Sequence, residues 1–188
     1  MSFVSIVGNK NFLNIMSDGR AVFDNGEVED NWKKFKIIGK DRFIAFAGTA
    51  HTCLKVVSFA SDKQAMPFSS WKKEIEKYVK IIPYSNINSK AMICIGGKDS
   101  QVFKISSFSN DPMLVVTDFI LDSTDVKYVF LNNIENEVNL DIEFMRIMQK
   151  QGSLDYQNVL SGQKELNNLV SNINPLYVNK NISFRTLF

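Results

Sequence analysis

Histidine and cysteine are nearly absent: one histidine, His51, and two cysteines, Cys53 and Cys94, occur in 188 residues. A histidine-based zinc site needs more ligands than that, and neither cysteine has the CxxC partner of a metal or redox pair. Each cysteine lies inside an apolar run, so both read as buried thiols of a reducing compartment. No apolar stretch approaches the ~20 residues that span a bilayer. The start, Met1-Ser2-Phe3-Val4-Ser5-Ile6, lacks the charged segment and long apolar core of a secretory signal. Charge of one sign is also missing, because 22 Lys and Arg are interleaved with 20 Asp and Glu for a net +2. No basic tract is dense enough for nucleic acid. Gly96-Gly97-Lys98-Asp99-Ser100 lacks the spacing of a P-loop and reads as a hairpin connection. With no repeat, low-complexity stretch or linker, the expectation is one soluble, cytoplasmic domain over residues 1–188, without metal, cofactor, nucleic-acid or membrane partner.

What is present is ordinary globular material, 45% hydrophobic and 22% charged. Strand-like runs occupy residues 3–7, 12–17, 20–23, 34–38 and 43–47, separated by turn signals at 8–10, 24–26 and 39–41. Two helical patterns follow. The first covers 51–60 with Cys53, Val57 and Ala60 on one face; the second begins after Pro67 with Trp71, Ile75, Tyr78 and Val79 at helical spacing. Strands return at 91–95, 101–106, 114–120 and 127–131. A helix over 138–151 carries Leu140, Phe144 and Ile147 on one face and Gly152 as its C-cap. A weaker helix covers 164–172, and two closing strands are expected at 176–179 and 182–187. Runs of strands separated by runs of helices argue for layered α+β. Strands apolar on both faces argue for two stacked antiparallel sheets with helices outside, a four-layer αββα sandwich.

The segments Ser2-Phe3-Val4-Ser5-Ile6-Val7, Asp18-Gly19-Arg20-Ala21, Asp30-Asn31-Trp32-Lys33-Lys34-Phe35 and Ala47-Gly48-Thr49-Ala50 occur in that order. Together they resemble the N-terminal half of the N-terminal-nucleophile (Ntn) hydrolases of the proteasome β-subunit and HslV type. The resemblance covers residues 2–60, and beyond them the element order alone extends it. It implies a nucleophile at Ser2, an aspartate at Asp18, a supporting arginine at Arg20, a catalytic lysine at Lys34 and an oxyanion glycine at Gly48. It also implies a substrate side-chain pocket walled by Ala21, Trp32, Phe46 and Ala50. The two aromatics there predict a shallow pocket that prefers small residues. Family members form closed homo-oligomeric rings, and an HslV-like particle implies an ATP-dependent unfoldase partner.

The chemistry is internally consistent. A serine hydroxyl needs a base, and an N-terminal amine, which ordinarily titrates near pH ~8, supplies one. Met-Ser is a start that aminopeptidases trim, which would free that amine on Ser2. Lys34 as an ammonium would lower the pKa of hydroxyl and amine, Asp18 would hold it charged, and the Gly48 N–H would meet the oxyanion. Structural readings stand beside these: Asp18 and Lys34 as an ion pair, Arg20 as a structural residue, Gly48 as a turn glycine, His51 as a cap or surface residue. Trp71, Tyr78 and the Met-rich face of the third helix read as core. Three departures from the family pattern are visible. The nucleophile is serine rather than threonine, the supporting Ser-Gly segment is replaced by Phe130-Leu131-Asn132-Asn133, and the second aspartate has no counterpart at 172–179. Three readings therefore stay open: a serine-type peptidase, a small-molecule amidase, and a catalytically silent homologue that serves assembly or binding.

Overall fold

The computed structural model describes residues 2–23, 26–85, 88–132 and 138–188. Alternation sets the first strand: in β1 (Phe3–Asn9), Val4 and Ile6 face one core while Phe3 and Val7 face another. The next strands are β2 (Phe12–Asp18), a short β3 (Ala21–Val22) and β4 (Val28–Glu29) pair, β5 (Phe35–Ile38) and β6 (Arg42–Gly48). Helices α1 (Ala50–Asp62) and α2 (Phe68–Lys80) follow, then β7 (Ala91–Asp99), β8 (Val102–Ser109), β9 (Thr117–Leu121) and β10 (Lys127–Asn132). The chain closes with α3 (Leu140–Gln151), α4 (Tyr156–Ile173) and β11 (Ile182–Leu187).

Two antiparallel sheets result, in the orders β10-β1-β2-β11 and β5-β6-β7-β8-β9. Val4, Ile6, Leu13 and Ile15 of the first sheet meet Phe43, Ala45, Cys94, Phe103 and Ile105 of the second in a shared core. Behind the second sheet, α1 and α2 bury Cys53, Val57, Trp71 and Ile75 against Ile44, Ile93 and Ile95. Behind the first, α3 and α4 bury Phe144, Ile147, Leu166 and Val170 against Phe3, Val7 and Phe12. This is the expected αββα sandwich, with β1 in the interior of its sheet. Burial on both faces explains why the strands read as continuous apolar runs rather than alternating ones.

Several element boundaries differ from the sequence reading, each for a local reason. Residues 176–179 form no strand: Tyr177 and Val178 N–H groups turn back to the Asn174 carbonyl, and Val178 plugs into the core under α4. Helix α4 starts at Tyr156, because the Asp155 side chain caps it by accepting Gln157 and Asn158 N–H groups. The strand expected at 114–120 begins at Thr117, since Met113, Leu114 and Val115 lie in an exposed loop. β7 runs through Gly96 and Gly97 to Asp99, and the hairpin turns at Ser100-Gln101, both at positive φ. Gly97 is required there, because a Cβ would drive into the Asp41 carbonyl. Gly152 caps α3 in the left-handed region as expected, whereas Met145 on that helix is half-exposed and only Met148 joins the core. The turn expected at 24–26 and residue Asn133 lie partly or wholly outside the described residues.

Trp71 is fully buried, and its indole N–H donates to the Ala60 carbonyl at 2.8 Å, tying α2 to α1. Trp71→Ala is expected to cost about 3–5 kcal/mol in urea unfolding. Met113→Ala, at an 85% exposed position, is expected to stay within about 0.5 kcal/mol.

Candidate active site

The start of β1, the end of β2 and the approach to β5 converge at one end of the sandwich. Register brings them there: Val4 faces Ser17 across the β1–β2 hairpin, so Asp18 lies one step further, beside the start of β1. Lys34 immediately precedes β5 and is held on both sides by backbone contacts. Its carbonyl accepts the Phe46 N–H at 3.0 Å, and its own N–H donates to Ser17 Oγ at 3.4 Å. From that position its side chain enters the interior and pairs with Asp18, Nζ to Oδ1 at 2.5 Å, with side-chain exposures of 2% and 0%.

Asp18 accepts from three donors. Oδ1 accepts the Lys34 ammonium and also the Phe3 N–H at 2.8 Å, while Oδ2 accepts the Arg20 N–H at 2.9 Å. The peptide that follows Ser2 and the Lys34 ammonium therefore share one carboxylate oxygen. This brings the buried Ser2 next to the pair. Burial pulls the Lys34 pKa below the ordinary lysine value, and the Asp18 charge and hydrogen bond, which act upward, do not cancel it. The ammonium thus gives up its proton more readily than an exposed lysine.

Gly48 ends β6 at φ 130°, opposite Ala91, and a Cβ there would collide with the Lys90 carbonyl. Only glycine fits so close to that strand. Arg20 points away from the pair. Its guanidinium grips Asp30 through Nε at 2.6 Å and a terminal nitrogen at 3.1 Å, and it donates to the Pro175 carbonyl at 2.6 Å. That bond to Arg20 holds the Asp30 carboxyl below its usual range. Arg20 is a clamp between the β2–β3 turn and the connection after α4, in line with its structural reading.

No family model matches the sequence, and no curated protein matches it. Many solved structures share its architecture, three of them as follows. HslV from Trypanosoma brucei aligns with TM-score 0.69 at 11% identity, covering 98% of both chains. Anbu, an ancestral beta-subunit, from Yersinia bercovieri aligns with TM-score 0.65 at 10% identity, over 98% of this chain and 80% of that one. An Anbu (Gly-1) mutant from Hyphomicrobium sp. strain MC1 gives 0.70 at 11% identity, over 100% and 82%. The chain has the fold of these HslV and Anbu subunits. At such identity the likeness concerns fold alone.

Within that fold the four expected pocket residues differ in what they offer. Ala21 is buried in β3, and Ala50, half-buried, opens α1. Trp32 is half-buried, anchored by its N–H to the Gly19 carbonyl at 2.8 Å and set edge-on to Phe23 at 5.5 Å. Phe46 is 5% exposed and packs into the core beneath α1, so it presents little free surface. His51 is exposed on α1. Among the described residues no three His, Cys, Asp or Glu cluster as metal ligands. Burial pushes the Cys53 thiol up to about 12 and raises Cys94 as well, which leaves both unreactive. Sequence reasoning missed Asn179, whose side chain reaches the Gly19 N–H at 3.0 Å. No spacing or periodicity marks it.

Lys34→Met leaves the Asp18 charge buried without a counter-ion and is expected to cost about 3–5 kcal/mol. The double variant Lys34→Met/Asp18→Asn is expected to regain most of it in the same urea titration. A single-variant loss of only about 1 kcal/mol, typical of an exposed pair, would contradict the buried arrangement.

Proposed function

We propose that this chain is an N-terminal-nucleophile hydrolase acting on a peptide or small amide, with Ser2 as nucleophile once Met1 is removed. The observation that carries the reading is the Asp18 oxygen shared by the Lys34 ammonium and the peptide that follows Ser2. In the reaction, Ser2 Oγ attacks the substrate carbonyl carbon and its proton passes to a neighbouring amine. That amine is the freed Ser2 terminus, or Lys34 itself, whose lowered pKa suits it to exchange a proton. The oxyanion that forms is stabilised by the Gly48 N–H and the field of the Lys34 side chain. Collapse expels the substrate amine, which takes the proton, and leaves an ester on Ser2. Water, giving its proton to the same amine, then attacks the ester carbonyl; the bond to Oγ breaks, the carboxylic acid leaves, and the amine returns the proton to Ser2 Oγ.

A homo-oligomeric ring, an ATP-dependent unfoldase partner, a single-domain chain and a cytoplasmic setting belong to the same reading. The two free, buried cysteines support a reducing compartment. The competing reading is a catalytically silent homologue. On its side stand the three hydrogen bonds to Asp18, which would keep the pair in place for structure alone.

Intact mass of untagged protein, before and after treatment with a β-lactone, tests the proposal. The expected result is a mass lacking Met1 and one covalent adduct that vanishes in Ser2→Ala. Retained Met1 with no adduct leaves the silent homologue. Light scattering separates a ring, expected for a compartmental peptidase, from a small species, expected for an amidase. Among peptide substrates, small residues on the acyl side of the cleaved bond are expected to be preferred by roughly 10-fold or more over aromatic ones. An aromatic preference would show that Trp32 and Phe46 do not wall the pocket. The acid limb of kcat/KM should report a base titrating below the ordinary lysine range, because the amine must be neutral to take the serine proton.

A further inference from the structure

The turn that carries Asp18 is held from the opposite side by one side chain. Asn179, between α4 and β11, accepts the Gly19 N–H on Oδ1 at 3.0 Å. Its Nδ2 donates to the Asp30 carbonyl oxygen and to Asp30 Oδ1, each at 3.0 Å. Its own carbonyl accepts Asn167 Nδ2 at 3.1 Å, and the preceding Val178 carbonyl accepts Ser171 Oγ at 3.1 Å. Asn167 and Ser171 are buried one turn apart on α4, so the segment bearing Asn179 is fastened to a helix rather than left as a loose connection. On the other side of Asn179, the backbone at Gly19 is fully engaged. Its N–H goes to Asn179, its carbonyl takes the Trp32 N–H, and the next N–H, of Arg20, goes to Asp18 Oδ2.

We propose that Asn179 is a positioning residue for the Asp18–Lys34 pair, fixing the Gly19 peptide and thereby aiming the carboxylate at the Lys34 ammonium. A carboxamide suits this task because it accepts from Gly19 and donates to Asp30 at once. A carboxylate there would face Asp30 with like charge, and an apolar side chain would leave the Gly19 N–H without its partner. The consequence for Ser2 rests on the hydrolase reading above; the aim of the carboxylate rests on the hydrogen bonds alone.

The test is a carbon-detected NMR titration of the lysine side chains, with Lys34 assigned by Lys34→Arg. In Asn179→Ala the carboxylate loses its aim, so the Lys34 midpoint is expected to fall by about one pH unit. Asn179→Asp keeps an acceptor for Gly19 and adds negative charge, so its midpoint is expected at or above that of the parent. Ser171→Ala loosens the same segment without touching the turn and should lower stability while leaving Lys34 in place. If Asn179→Ala does not fold, Asn179→Ser, too short to span Gly19 and Asp30, carries the same expectation. An unchanged midpoint in the alanine or serine variant, or an equal fall in Ser171→Ala, overturns the proposal. A parent that forms no Ser2 adduct sinks the hydrolase reading, while the Lys34 titration still decides the role of Asn179.

Discussion

Placing a lysine charge inside a protein is costly, and this fold commits three separate segments to doing so. The Lys34 ammonium is 2% exposed, and its counter-ion Asp18 is fully buried. Two charges in that setting are tolerated only if their remaining hydrogen-bonding capacity is met. The start of β1 and the β2–β3 turn meet it, through the N–H groups of Phe3 and Arg20. The position of Ser2, the shape of the turn at Gly19 and the approach of β5 to the first sheet all follow from that requirement. The same desolvation lowers the Lys34 pKa, so the constraint that organises the backbone also eases loss of the lysine proton.

Support for this arrangement comes from an unexpected side. Helix α4 presents a stripe of buried polar side chains to the first sheet: Gln163, Asn167 and Ser171. Gln163 donates to the carbonyl and hydroxyl of Ser5, while Asn167 and Ser171 hold the chain at Asn179 and Val178. An apolar stripe would pack as well but would not fix the height of the helix over β1 so specifically. The stripe therefore links the rigid outer layer to the turn beside the ion pair.

The convergence of Asp18 and Lys34 was legible because both lie at the edges of strands in the N-terminal third, Asp18 at the end of β2 and Lys34 just before β5, where a gap-free pattern fixes register. The layered architecture was legible for a similar reason, since runs of apolar strands and amphipathic helices alternate in blocks. The α4 region was not. Polar residues at buried positions blurred its helical period, so only 164–172 read as helix where Tyr156–Ile173 forms one. Leu176, Tyr177 and Val178 looked like a strand by composition, yet Leu176 is 72% exposed and only Val178 reaches the core. Asn179 carries no pattern at all, because its value lies in contacts more than a hundred residues away in sequence.

The central claim is that Ser2, freed of Met1, faces the buried lysine. A crystal structure of the processed protein measures this directly, as the separation of Ser2 Oγ from Lys34 Nζ. The predicted result is hydrogen-bond reach, about 2.6–3.2 Å, or a single bridging water, with the Lys34–Asp18 pair intact. A Lys34 side chain turned to solvent, or a Ser2 hydroxyl directed away from it, would contradict the claim even with the sandwich fold unchanged.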